Sequence, residues 1–212
     1  MREAGHRAGE RLKALLIAAG LEGLSEVQAQ RFEAYLSLIL RWNARINLTS
    51  IRSEEGILAR HFVESIACAR ALPRGIATLL DFGSGAGLPG IPIAVCRPEI
   101  SVTLSESQGK KAAFLQEAVR VLGISAKVYA SRAEYLESQF DCVVLRAVER
   151  MLRAVDAAAR LVKPSGWLAV MTTNGELAKL RTAGGGEFFW LEPIGMPRSQ
   201  NRLIALGRKP SP

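Results

Sequence analysis

A doubly wound α/β sheet preceded by a helical extension is the fold this sequence predicts, and three observations carry that reading. From residue 76 onward, short apolar runs alternate with helical patterns. The first of those runs leads straight into the glycine-rich stretch Gly83-Ser84-Gly85-Ala86-Gly87-Leu88-Pro89-Gly90, and an acid, Glu106, follows 23 positions after Gly83, just past the second run. Residues 1–72 show helical periodicity instead, which divides the 212-residue chain into an N-terminal extension and a sheet domain at 73–212.

Taken in order, the extension reads as three helices. Leu12, Leu15, Leu16 and Ala19 recur at the spacing that lines one helical face. Ser25, with Gln28 three residues on, has the form of a capping box and opens a second helix that runs to about Trp42. Its apolar face, with Val27, Tyr35, Leu38, Ile39 and Trp42, must pack on something. Residues 43–53 are polar turn formers. A third helix over about 53–71 carries Arg60, His61 and Glu64 and stops before Pro73.

In the sheet domain, strands are expected at 78–82, 101–105, 126–130, 140–145 and 167–171, with helices at 90–96, 109–122 and 151–162. Such a series builds a parallel sheet with helices on both faces. After a glycine run at 184–186, further strands are expected at 188–191 and 202–206. Two late strands after five alternating ones suit a seven-stranded sheet whose final strand is antiparallel.

Ligands of such sheets bind beyond the carboxyl ends of the strands. That rule gathers loops 83–90, 106–110, 131–134 and 146–148 around one crevice. Glycines let the first loop turn with positive φ and approach a ligand closely, and a carboxylate at Glu106 can take both hydroxyls of a ribose. The dinucleotide fingerprint is G-x-G-x-x-G, whereas this chain has G-x-G-x-G with Pro89 soon after, a turn suited to a ligand with no pyrophosphate. S-adenosylmethionine (AdoMet) fits that description, and a tight turn without a ligand is the bland alternative. Glu134 could meet an adenine edge or be a surface acid on a turn. Arg146 emerges from a very apolar strand onto the ligand face, where a cation needs an anionic or polar partner. An ion pair with Glu106 or Glu149 would be a purely structural answer.

Composition is that of an ordinary globular protein, 49% hydrophobic and 23% charged. Neither a signal peptide nor a membrane span is indicated, so a cytoplasmic location is expected. Cys68, Cys96 and Cys142 lie in apolar segments without metal-ligand spacing, which argues for buried thiols and against a disulfide or zinc framework. The net charge of +8 is uneven: residues 1–75 hold 11 Lys/Arg against 8 Asp/Glu, residues 76–139 hold 6 against 6, and residues 140–212 hold 11 against 6. Basic flanks around a neutral cofactor region favour a nucleic-acid substrate, with solubility as the alternative.

The strings DFGSGAGLPGIPIA, SESQGKKAAFL, SRAEYL and LRAVER, with RWNARINLTS and ARHFVES in the extension and Asn201-Arg202-Leu203 near the end, resemble the RsmG family. These are the bacterial small-subunit ribosomal RNA guanine-N7 methyltransferases, also called glucose-inhibited division protein B. The likeness runs from about residue 32 to 172. It implies the class I AdoMet-dependent methyltransferase fold, a Rossmann-like seven-stranded sheet, with AdoMet as donor and a guanine N7 of 16S ribosomal RNA as acceptor. Carried over, Gly83 and Leu88 fall where the family binds AdoMet, Ala133 and Glu134 where it contacts the adenine, and Arg146 where an arginine closes the site. Asp81, Ser84, Gly85, Glu106, Ser107 and Arg132 complete the expected cofactor set, and Arg146 is also the catalytic candidate. Asn47, His61, Lys110 and Arg202 match positions suited to RNA contact or acceptor positioning. The family's lysine-glycine pair after the fifth strand reads Thr172-Thr173-Asn174-Gly175 here, which removes a cation from the substrate side.

The chemistry agrees with the residues present. Guanine N7 has an exposed lone pair and loses no proton on methylation, so transfer needs positioning and a donor but no general base. Arg146 cannot act as a base and would hold phosphate or the cofactor carboxylate. Pyrimidine C5 methylation would need a nucleophilic cysteine, and Cys142, opening an apolar strand, reads as core. His61, by itself on a helix packed with Ile57, Leu58 and Phe62, reads first as a satisfied structural group, and Phe32, Tyr35 and Trp42 read as core aromatics rather than base-stacking ones. A small-molecule methyltransferase and an AdoMet-binding RNA module impaired in catalysis are the alternatives. The expected partner is ribosomal RNA or the small ribosomal subunit, with no membrane partner and a monomeric state.

Overall fold

The computed structural model of the protein describes residues 2–148, 151–182 and 188–211. The glycine run at 184–186 and the ion-pair candidate Glu149 lie outside the described residues. The extension consists of α1 (Arg2–Ala18), α2 (Glu26–Asn43) and the short α3 (Glu54–Gly56), which runs through a π-helical stretch (Ile57–Phe62) into α4 (Val63–Ala71). The capping box at α2 is present in full. Ser25 Oγ accepts the Gln28 N–H at 3.3 Å while Gln28 Oε1 accepts the Ser25 N–H at 3.0 Å, satisfying two backbone donors that the helix start leaves open.

Five parallel strands follow: β1 (Thr78–Phe82), β2 (Ser101–Ser105), β3 (Ala126–Tyr129), β4 (Phe140–Arg146) and β5 (Val162–Thr173). They are linked by α5 (Gly90–Cys96), α6 (Gly109–Leu122), a 3-10 turn (Ala133–Tyr135) and α7 (Met151–Leu161). After α8 (Asn174–Thr182) come β6 (Phe189–Trp190), β7 (Ile194–Gly195) and β8 (Arg202–Arg208). The order is β3-β2-β1-β4-β5-β8-β6, with β8 antiparallel to β5 and β7 also pairing with β8. The late antiparallel strand is as expected. The two-residue β7 makes eight strands among the described residues where seven were expected, and α8 forms in a segment for which no element was expected.

Side chains alternate across the sheet, as the two-residue period of a strand requires. Leu79, Val102, Leu104, Cys142 and Val144 face one core, which they share with Leu12, Leu16, Phe32, Tyr35, Ile39 and Phe62 of the extension. Leu80, Phe82, Val143, Leu145 and Leu168 face a second core closed by Val155 and Ala158 of α7. The extension is thus packed into the sheet's own interior rather than appended to it. Phe32 and Tyr35 are core residues as expected, with Tyr35 stacked on Phe62 at 5.1 Å between ring centroids. Val27, expected on the packing face of α2, is 57% exposed. Cys68 and Cys142 are buried, whereas Cys96 is only partly so.

Gly90 opens α5 in a space that tolerates no side chain. A Cβ there would stand 2.4 Å from Leu104 Cδ2 and 2.5 Å from Asp81 Oδ2. Overpacking of this kind costs about 1–3 kcal/mol. Gly90→Ala is expected to lower unfolding free energy by about 2 kcal/mol in urea titrations, whereas Gly109→Ala, whose Cβ meets nothing within 4 Å, stays near the parent.

Candidate active site at the carboxyl edge of the sheet

The register brings the strand ends level: Phe82 lies beside Ser105 and Leu145, and Ser105 beside Tyr129. The loops that follow these strands therefore meet along one edge. Gly83, Gly85 and Gly87 all have positive φ, at 71°, 56° and 82°. At Gly87 the need is also steric, since a Cβ would meet Ile91 Cδ1 at 2.5 Å. At Gly85 a Cβ would find only the Gly83 carbonyl oxygen, at 4.0 Å, so the loop surface there is open.

Two buried carboxylates hold the loop. Asp81 Oδ2 accepts the Gly90 N–H at 3.0 Å, and Glu106 Oε2 accepts the Gly85 N–H at 3.0 Å. Glu106 Oε1 accepts the Gln108 N–H at 2.7 Å, so one side chain sets both the first and the second loop. Each carboxylate oxygen has a further lone pair, which leaves Glu106 able to accept from a ligand. Asp81 is 1% exposed and lies beneath the loop. Burial pushes its carboxyl up to about 7, against the lowering effect of the Gly90 N–H. Ser84 is buried, its hydroxyl donating to the Asp81 carbonyl at 3.0 Å, and Leu88 packs in the core.

From the extension, the Tyr35 hydroxyl donates to the Ala86 carbonyl. From the loop after β4, Val148 comes close to Gly83, at 3.4 Å from where a Cβ would stand. Ala147, just before it, takes φ 50°, a conformation that a non-glycine residue adopts only when its surroundings impose it. Across the crevice Ala133 is buried, while Ser107, Arg132 and Glu134 are exposed.

Arg146 does not pair with Glu106, which is spent on the two loops. Its partner is Glu64 of α4, a residue the sequence reading placed on a helix and gave no role. Arg146 donates to Glu64 Oε2 at 3.2 Å, to Ser65 Oγ at 3.1 Å and to His61 Nδ1 at 3.0 Å. Arg202 of β8 donates to Glu64 Oε1 through Nε at 2.7 Å. One carboxylate, its side chain 3% exposed, thus joins the extension to β4 and β8. No local pattern could reveal it, because its partners lie 82 and 138 residues away.

His61 is satisfied on both ring nitrogens. Since the guanidinium only donates, Nδ1 accepts and Nε2 carries the proton, which goes to Thr49 Oγ1 at 2.7 Å. Burial, then Arg146 and Arg60, hold the ring down at about 3, so it is neutral near pH 7. Asn47 and Lys110 lie apart from this cluster, both exposed, lining a separate cleft of about 380 Å³. Trp42 packs edge-on against Phe114, and its indole N–H donates to Glu117 at 2.7 Å. Thr172 and Thr173, in place of the family's lysine, end β5 opposite Leu203 and Arg202. No group of three or more metal-ligating side chains occurs among the described residues, and no helix among them is long and apolar enough to cross a membrane.

A sheet of this order with a glycine loop after β1 and an acid after β2 defines the class I AdoMet-dependent methyltransferase fold. Solved structures agree on the fold. A methyltransferase from Pyrococcus furiosus is similar at a TM-score of 0.62 and 13% identity, covering 85% of this chain and 96% of that one. A ribosomal protein L11 methylase from Lactobacillus delbrueckii subsp. bulgaricus is similar at 0.59 and 15% identity, covering 71% and 79%. The family model GidB, described as rRNA small subunit methyltransferase G, matches residues 28–184. Curated relatives named ribosomal RNA small subunit methyltransferase G are 37% identical in Roseiflexus sp. (strain RS-1), covering 89% of this chain and 86% of the relative, and 38% identical in Stenotrophomonas maltophilia (strain K279a), covering 85% and 89%. The chain belongs to this rRNA small subunit methyltransferase G family.

Two predictions follow from the buried charges. Glu64→Gln leaves two arginines facing a neutral amide and is expected to cost about 3 kcal/mol in urea unfolding at pH 7. The second concerns pH. Asp81, raised to about 7 in the fold from its ordinary 3.8, binds its proton more tightly when folded, so its effect on stability is unfavourable as pH rises through that window. His61, lowered to about 3 from 6.5, acts in the opposite sense: its contribution is present above pH 6.5 and lost on acidification. The two slopes oppose each other in the parent. Asp81→Asn removes one of them, so the variant is expected to lose more stability than the parent between pH 7 and 5 in parallel urea titrations.

Proposed function

We propose that the protein transfers the methyl group of AdoMet to N7 of a guanine in 16S ribosomal RNA. The observation that carries this reading is the open glycine loop with the Glu106 carboxylate beside it. The positive-φ backbone leaves space above Gly85, and Glu106 retains lone pairs suited to ribose hydroxyls. The residues present therefore fit the cofactor. Gly83, Gly85 and Glu106 would hold it, with Ala133 and Glu134 near the adenine and Ser107 and Arg132 at the rim. Asp81, Ser84 and Leu88 act from below, by shaping the loop.

When bound, AdoMet supplies an electrophilic methyl group on a sulfonium centre. The chain's own task is then to orient the acceptor and exclude competing water. A guanine N7 gives up no proton, and the buried groups agree with that demand: His61 is neutral with both nitrogens engaged, and the Arg146 guanidinium is committed to Glu64, Ser65 and His61. Arg146 is best read as a positioning residue that fixes the end of β4, and so Ala147 and Val148, against the glycine loop. Arg202, opposite Thr173, places a cation near the position that lost the family lysine.

The small-molecule alternative leaves the basic excess of residues 1–75 and 140–212 without a use, and the reading as an impaired module rests on Thr172-Thr173 alone. The test is transfer of labelled methyl from AdoMet to small ribosomal subunits and to naked rRNA, with the modified base mapped. Label at a guanine N7 is expected. AdoMet binding by calorimetry without incorporation into either substrate would overturn the assignment.

A further inference from the structure

Beside the cofactor loops runs a groove between the extension and α6. Its floor is the cleft lined by Arg45, Asn47, Arg52, Gln108, Lys110 and Lys111, and it continues into a second cleft of about 490 Å³ that shares Arg45 and Lys110 and ends at Trp42. The sequence conceals this concentration, because its two arginines come from the extension and its two lysines from the neutral central segment. Folding brings them together.

Three features distinguish the groove from an ordinary solvated face. None of Arg45, Arg52, Lys110 and Lys111 forms an ion pair among the described residues, and the side-chain contact of Arg52 is to the neutral Asn47 Oδ1 at 3.2 Å. The acid that lines the second cleft, Glu117, is occupied by Arg41 and by the Trp42 indole. The two lysines also stand in the first turn of α6, which has no acid and no side-chain cap. Cations are disfavoured at that end of a helix, where the peptide dipole is positive. Their charge is therefore placed against the helix's own preference, and an anionic partner would relieve it.

We infer that this groove seats the phosphodiester backbone of the RNA substrate, with the extension supplying one wall and α6 the other. The inference rests on the RNA reading above and names the surface that reading lacks. Gln108 lines the groove while its N–H is held by Glu106, so a strand lying there passes within one loop of the cofactor carboxylate. Arg45, Arg52 and Lys111 enter the substrate site by this route.

The test is equilibrium binding of fluorescently labelled single-stranded fragments of 16S rRNA, without AdoMet, across a range of salt. Arg45→Gln/Lys111→Gln is compared with Arg153→Gln/Arg160→Gln, which removes the same charge from exposed positions of α7 on the other face of the sheet. For the groove pair, Kd is expected to rise about tenfold near physiological salt and the slope of log Kd against log salt to fall by about 1.4, since each phosphate contact on a single strand contributes about 0.7. The α7 pair is expected to change the slope little, and both variants to keep the parent's AdoMet affinity. Equal weakening by the two pairs, an unchanged groove pair, or loss of AdoMet binding in the groove pair alone would overturn the inference. Binding is read apart from methyl transfer, so a parent that binds RNA through the groove but transfers no methyl would contradict the proposed reaction and leave the groove standing.

Discussion

The site depends on two carboxylates that hold a glycine loop at its middle and at its far end. Asp81 takes the N–H that opens α5, and Glu106 takes the N–H at the middle of the loop. A carboxylate that accepts backbone donors in a buried setting replaces the solvation it has lost. The loop's positive-φ glycines make those donors reachable, and Gly90 leaves room for Asp81 beneath them. Everything above the loop, including the open surface at Gly85, inherits its position from this arrangement.

A second constraint links that loop to the rest of the chain. Glu64 gathers Arg146 and Arg202 from two strands, and Tyr35 reaches the loop from α2. Through these contacts the extension helps to fix the crevice instead of merely covering one face of the sheet. The π-helical stretch that precedes Glu64 carries His61, whose ring is held between Arg146 and Thr49. Buried ion pairs of this kind are weak sources of stability but costly to break, which suits a joint whose geometry matters more than its strength.

Much of this was legible in the sequence, and the reasons are physical. The β1 loop and Glu106 could be read because glycine spacing and strand-to-acid spacing are local, and the β–α alternation implied a parallel sheet with its ligand loops at one edge. The capping box at Ser25 was equally local. What stayed hidden was produced by long-range contact. Arg146 plainly needed a partner, yet Glu64 could not be named from a helix segment 82 positions away. The roles of Asp81, Ser84 and Leu88 beneath the loop depend on burial, which the motif does not encode. The two-residue β7 is too short to carry an alternating pattern, and α8 begins at Asn174-Gly175, a pair whose intrinsic preference is for a turn.

The most direct test of the account is a crystal structure of the protein grown with S-adenosylhomocysteine, the product that remains after methyl transfer. The account predicts its nucleoside over Gly83 to Gly85, with both ribose hydroxyls on the Glu106 carboxylate. A ligand seated elsewhere, or one whose ribose makes no contact with Glu106, would contradict it.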